Sequence, residues 1–280
     1  MDAPALAVTG STGWLGGLVA RDLAADGIRQ RLLVRNPDRA PALDGADVRR
    51  CAYGDDDEAV RALEGVRTLF MVSAAEHPDR LGQHLGFVRA AARAGVGHVV
   101  YVSFYGAAPD ATFTLARDHA ATEEALRASG MAWTFLRDNL YLEFFGQLRG
   151  EDGAIRGPAG DGRVAAVSHP DIAAAAGAVL RDPAAHAGET YSLTGPEALT
   201  LAEVADVVAE VQGLETTYVD ETVEEAYASR AVYGAPDWQV DAWVSTYTAI
   251  AAGELAGVTD DVERLTGRLP LSLREVLSRG

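Results

Sequence analysis

Residues 9–16 read TGSTGWLG, so Gly10, Gly13 and Gly16 are spaced G-x-x-G-x-x-G directly after a short apolar run. That spacing lets a strand turn sharply into a helix, lets backbone approach a pyrophosphate, and lets the helix pack closely on the strand. The helix N-terminus then offers N–H donors and the positive end of its dipole to phosphate oxygens. Gly10, Ser11, Thr12, Gly13, Trp14 and Leu15 are therefore candidate dinucleotide ligands. The next apolar run ends in Arg35-Asn36-Pro37, with Arg39 close by. NAD-specific sites usually place an acidic residue there for the ribose 2′-hydroxyl. A guanidinium suits a 2′-phosphate, to which it can donate two parallel hydrogen bonds. The spacing thus predicts NADPH as cofactor, with Arg35 on the 2′-phosphate.

All 24 cationic residues of the chain are arginine. Without lysine there is no Walker A phosphate loop, no Schiff base and no Tyr-x-x-x-Lys pair. Asp and Glu total 41, which gives a net charge of −17. So acidic a chain is repelled by nucleic-acid phosphates and by anionic membranes, so neither is an expected partner. Cys51 is the single cysteine, and no apolar stretch approaches a bilayer span. Met-Asp-Ala-Pro carries no positive leader region. These features make a cytoplasmic protein the expectation. His77, His84, His98, His169 and His186 show no ligand spacing with Cys51 or one another, so no metal site is expected. Asp55 to Glu58 read as a helix N-terminal cap with a solvated acidic face, Asp55 lying near adenine.

The elements that must position these residues follow from periodicity. Residues 5–9, 31–35, 48–53, 68–73, 98–103 and 133–137 are apolar runs of strand length. Helical patterns at 15–25, up to 63, 81–94 and 116–129 separate them. Alternation of this kind predicts an α/β fold, a doubly wound parallel Rossmann sheet covered on both faces. The NADP-binding domain spans 1–150, with a helix at 170–182 packed on it and capped by Asp171. A smaller, mostly helical substrate-binding region spans 151–280. It has a hairpin within 150–162, helices at 201–211, 223–229, 238–252 and 271–277, and a short strand at 216–219.

The segments TGSTGWLG, LLVRNP, AYGD, FMVSAAE, HVVYVS and TFLRDNLY together resemble the NmrA-like, atypical short-chain dehydrogenase/reductase group. VSHPDIAAAA and ETYSLTG extend the resemblance over nearly the whole chain. Within the group the chain resembles the bacterial NADPH:quinone oxidoreductases and triphenylmethane reductase. The resemblance implies hydride donation by NADPH. It places Ser73, Ala74 and Ala75 along the ribose and nicotinamide, Ser103 and Phe104 against the nicotinamide, and the segment Asn139, Leu140, Tyr141 to Phe144 over the ring. Two departures stand out. Asp138 occupies the place after Arg137 where relatives have Asn, and Trp14 is bulky for its place in the loop.

Where lysine-containing members carry their lysine, this chain has His119, a candidate hydrogen-bond donor to substrate or ribose. Tyr141 and Tyr105 are the other candidate donors. Phe104, Tyr105 and Phe144, with Phe113 and Phe145 more simply read as core, suit a small aromatic or quinone-like substrate. Trp238 and Trp243 read as core that could also cap such a pocket. Three functions remain open: an NADPH-dependent reductase without a Tyr-Lys acid, a non-enzymatic NADP(H)-sensing regulator, and a dedicated biosynthetic reductase. The protein would act as a monomer or homodimer.

Overall fold

The computed structural model describes residues 5–279. The Met-Asp-Ala-Pro start read above lies outside them. The first half runs β1 (Leu6–Thr9), α1 (Trp14–Ala25), β2 (Gln30–Val34), β3 (Asp47–Arg50), α2 (Asp57–Leu63), β4 (Thr68–Met71), α3 (Arg80–Arg93), β5 (His98–Phe104), α4 (Thr114–Ala128) and β6 (Ala132–Asp138). The second half runs α5 (Leu142–Phe145), β7 (Ala154–Gly157), β8 (Arg163–Val164), α6 (His169–Arg181), β9 (Thr190–Leu193), β10 (Leu199–Thr200), α7 (Leu201–Gln212), β11 (Thr217–Asp220), α8 (Val223–Arg230), α9 (Asp237–Ala251), α10 (Asp261–Thr266) and α11 (Leu273–Leu277).

Seven strands form one sheet in the order β3-β2-β1-β4-β5-β6-β9. β1 pairs in parallel with both β2 and β4, so the strand order reverses beside β1. In open α/β sheets this switch point is where ligands bind, at the carboxyl ends of the strands. Every residue of β1, β2 and β5 is buried, which is why their apolar residues run consecutively instead of alternating, as in Leu6–Val8, Leu32–Val34 and Val99–Val102. The α/β doubly wound reading of the sequence is thus realised.

The chain forms two compact units. The first comprises Met1–Phe104, Asp118–Arg137 and Ile172–Tyr191. The second comprises Tyr105–Arg117, Asp138–Asp171 and Ser192–Gly280. The core of the first contains fully buried Phe70, Phe87, Tyr101 and Phe135. Arg31 on β2 is buried there too, donating to Asp47 at 2.9 Å and to the carbonyls of Ala62 and Glu64 at 2.8 Å each.

Two expectations need correction, and the Asp55–Glu58 run forms a helix cap as expected. The stretch 150–162 makes no hairpin: β7 pairs in parallel with β11, and β8 pairs antiparallel with β10. Asp171 does not cap α6. The Ser168 hydroxyl oxygen accepts the Asp171 N–H at 3.1 Å, and the buried Asp171 carboxylate takes hydrogen bonds from Ser168, Arg268 and the Leu271 amide. Asp55 is committed to Arg89 and Arg93 at 2.9 and 3.0 Å, which hold its carboxyl below the usual range, while Asp56 caps α2. β9 and α10 are additional elements.

Gly16 shows how tightly α1 sits on the phosphate loop. A Cβ there would lie 2.5 Å from the carbonyl carbon and oxygen of Gly10, and backbone cannot yield as a side chain can. Gly16→Ala should therefore cost roughly 1–3 kcal/mol of stability, an overpacking penalty. A fall in the urea midpoint at unchanged slope would show it; an unchanged midpoint would contradict the packing.

Candidate functional site

At the end of β1 the chain turns through Gly10, whose φ of +68° is the left-handed conformation that favours glycine. The Gly10 carbonyl accepts the Gly13 N–H at 2.9 Å, which closes the turn. Gly13 precedes α1, and no side chain caps that helix. The N–H groups of a helix's first turn have no intrahelical partner, so here they are directed into the loop. Ser11 is 2% exposed, and its Oγ has no hydrogen-bond partner among the described residues. Burying an unpartnered hydroxyl costs about 1–3 kcal/mol. A phosphate oxygen would satisfy the hydroxyl and the first-turn amides together, so these residues fit a dinucleotide pyrophosphate. Thr12 and Trp14 are exposed on the same turn, whereas the Leu15 side chain is core. Arg35 follows β2 at its carboxyl end and is exposed.

The segment after β4 has its backbone held by side chains. Val72 donates its N–H to Thr9 Oγ1 at 2.9 Å, and its carbonyl accepts the Tyr53 hydroxyl. Ala74 donates its N–H to His84 Nε2 at 2.8 Å, and its carbonyl accepts Arg80 Nε at 3.0 Å. His84 Nδ1 in turn donates to Thr122 Oγ1 at 3.0 Å, since that hydroxyl spends its own proton on the Asp118 carbonyl at 2.7 Å. Burial and the nearby Arg80 lower the His84 pKa to about 3, so the ring stays neutral. Between the two held residues lies Ser73, with Ala75 beyond.

His119 joins this buried group and is 6% exposed. Arg80 Nη2 lies 2.9 Å from its Nε2 and the Tyr101 hydroxyl 2.9 Å from its Nδ1. Burial first, then the charge of Arg80, holds its pKa well below the ordinary value. A neutral buried imidazole with both nitrogens engaged is not placed to donate to a substrate, which corrects that expectation. Its neighbour Ser103 donates to Glu123 Oε1 at 2.6 Å. Glu123 is itself clamped by Arg137 at 2.8 and 2.6 Å and by Arg127 at 3.1 Å. With its proton spent, Ser103 presents only oxygen lone pairs, and so can accept but not donate. Phe104 is buried 6.0 Å from the His119 ring.

The other candidates lie in the second unit. The Asn139 side chain donates to the Leu255 carbonyl at 3.0 Å and accepts the Leu140 amide at 2.8 Å. Tyr141 donates its hydroxyl to Asp138 at 2.8 Å, and its ring packs on His169 at 4.2 Å and on Phe144 at 6.0 Å. Phe144 is 56% exposed. The Tyr105 amide donates to the Asp138 carbonyl at 2.8 Å, and its hydroxyl sits over Gly257. Burial pushes the Asp138 carboxyl up to about 8, against the Tyr141 hydrogen bond. A protonated carboxyl has the shape and neutrality of an amide, so Asp138 can stand where the resemblance leads one to expect Asn.

Sequence reasoning passed over Tyr53, Arg80, His84 and Glu123. The usable signal was polar residues on a buried helical stripe. Arg80, His84, Phe87, Val88 and Ala91 share one face of α3, and Ala116, His119, Thr122, Glu123 and Leu126 share one face of α4. Among the described residues no group of three or more His, Cys, Asp or Glu could hold a metal ion, and no helix is long and apolar enough to cross a membrane.

A glycine loop at the switch point of a doubly wound sheet defines a dinucleotide-binding Rossmann class. The NmrA-like family matches residues 3–239, and the chain belongs to that family. It is 33% identical over 280 residues to quinone oxidoreductase 2 of Escherichia coli, covering 98% of this chain and 97% of that protein. It is 34% identical over 267 residues to an NAD(P)H azoreductase of Xenophilus azovorans, covering 93% and 92%. The crystal structure of the E. coli NADPH-dependent quinone oxidoreductase with NADPH superposes with a TM-score of 0.90 at 32% identity, covering 98% of this chain and 99% of that one. That of Citrobacter triphenylmethane reductase with NADP(H) superposes at 0.87 and 33% identity, with the same coverage.

The neutral Asp138 has a consequence in pH. Folded, it keeps its proton up to about pH 8; unfolded, it releases it near the ordinary aspartate value of 3.8. Between these values the folded state binds the extra proton, so this group's contribution to stability is fully present below pH 4 and is lost as pH rises to 8. Asp138→Asn keeps an acceptor for Tyr141 and removes the titration. Its thermal midpoint should exceed that of the unsubstituted protein at pH 8–9 and converge with it near pH 4. Parallel melting curves across that range would contradict a raised pKa.

Proposed function

We propose that the protein is an NADPH-dependent reductase that passes hydride to a quinone-like or conjugated, cationic aromatic acceptor. The carrying observation is the buried, unpartnered Ser11 hydroxyl beside the uncapped start of α1, with Arg35 exposed at the end of the next strand. Pyrophosphate is held by residues 10–15 and the 2′-phosphate by Arg35. When bound, the cofactor supplies the hydride at its nicotinamide C4. Ser103, whose hydroxyl proton is committed to Glu123, would offer only lone pairs to the nicotinamide side of the cofactor. Ser73 and Ala75 flank the clamped Ala74 along the ribose.

The acceptor class follows from what the chain lacks. There is no lysine for a Tyr-Lys acid, and both His119 nitrogens are engaged. A quinone or a cationic dye needs little general-acid help, because its product takes a proton from water or the cation simply accepts hydride. Catalysis then rests on proximity and orientation. The similarity to a quinone oxidoreductase, an azoreductase and a triphenylmethane reductase supports this reading.

Following NADPH absorbance over a panel of quinones, azo dyes and triphenylmethane dyes tests it. Turnover with at least one acceptor class is expected, and none across the panel overturns the proposal. Arg35→Ala should raise the KM for NADPH about 10-fold or more and leave that for NADH within about twofold, the loss of a bidentate phosphate contact. Equal losses for both nucleotides would refute the 2′-phosphate role.

A further inference from the structure

We propose that Arg80 is a positioning residue for the cofactor edge of the sheet: one buried guanidinium fixes the Ala74 carbonyl and sets the tautomer of His119. The functional half of this inference rests on the NADPH reading above. Arg80 opens α3 and is only 4% exposed. Its Nε donates to Ala74 O at 3.0 Å, its Nη1 to Asp118 Oδ2 at 3.2 Å, and its Nη2 lies 2.9 Å from His119 Nε2.

Arginine has donors and no acceptor, so His119 Nε2 must be the unprotonated nitrogen. The ring proton is then on Nδ1, directed at the Tyr101 hydroxyl oxygen 2.9 Å away. The groups around His119 are Arg80, His84, Tyr101, Asp118 and Arg137, and the cations among them oppose a second positive charge. His119 is thus a fixed acceptor that reports the position of Arg80. The same guanidinium holds the carbonyl of a residue whose N–H is already held by His84, four residues along α3, so the peptide units on both sides of Ala74 are fixed. Segment 73–75 is therefore set before any ligand arrives. A lysine could place one charge near one of these partners. Only the planar fork meets all three at fixed angles, so Arg80→Lys is not a conservative change.

The first test needs no cofactor. Nitrogen-15 histidine NMR of the unsubstituted protein should show His119 as a neutral Nδ1–H tautomer that does not titrate between about pH 5.5 and 8.5, although an ordinary imidazole titrates near 6.5. In Arg80→Gln the His119 signals should change tautomer or begin to titrate. An Nε2–H tautomer or a pKa near 6.5 in the unsubstituted protein overturns the proposal, whether or not the variants fold. The second test is NADPH affinity by fluorescence. Arg80→Gln and Arg80→Lys should each weaken binding about 10-fold or more, the cost of misplaced contacts, with Lys recovering only part of the loss. Affinity within about twofold of the parent in a folded variant overturns the positioning role. If the parent itself binds no NADPH, the cofactor reading fails while the histidine spectra still decide the Arg80–His119 contact.

Discussion

Beyond Met71 the chain leaves the sheet half-buried, and the backbone donors and acceptors of Val72 and Ala74 need partners that no strand supplies. Thr9, Tyr53, His84 and Arg80 provide them, two for Val72 and two for Ala74. Much of the unusual chemistry of the first unit follows from that requirement. It puts polar residues on the apolar stripe of α3. It needs neutral imidazoles that accept hydrogen bonds. It also puts a cation inside the fold beside the point where the strand order reverses.

A buried cation is tolerated only where it is paired and its donors are satisfied. Asp118 balances Arg80, and two further donors go to Ala74 and His119. Burial first, and then the charge of Arg80, keeps His84 and His119 neutral. The same economy governs the end of β5. Glu123, almost fully buried, is neutralised by Arg127 and Arg137 and fixes the Ser103 hydroxyl. Under the proposed function these two arginine-built clusters orient the cofactor edge of the sheet.

The glycine loop and the strands around it were legible because each obeys a local rule. Gly10 needs a left-handed φ, Gly16 needs a missing Cβ, and buried parallel strands read as solid apolar runs. Arg35 was legible from its place at the end of the second strand. The clamp was not, because it depends on side-chain bonds between partners far apart in sequence: Thr9 and Tyr53 with the Val72 backbone, and Arg80 with the His119 side chain. His119 was found by position, but its role depends on Arg80, which resembled any solvated arginine. The pairing of β7 with β11 was hidden for a similar reason. The two strands are separated by a long stretch of chain, whereas a hairpin needs only a nearby turn.

The central claim is that the cofactor edge is preorganised by buried side chains, and amide hydrogen exchange of the cofactor-free protein tests it most directly. If Thr9 and His84 hold them, the Val72 and Ala74 amides should exchange only in openings as rare as those of the β4 and β5 core, with Ser73 between them exchanging faster. Exchange of Val72 and Ala74 at the rate of an exposed loop would contradict the account.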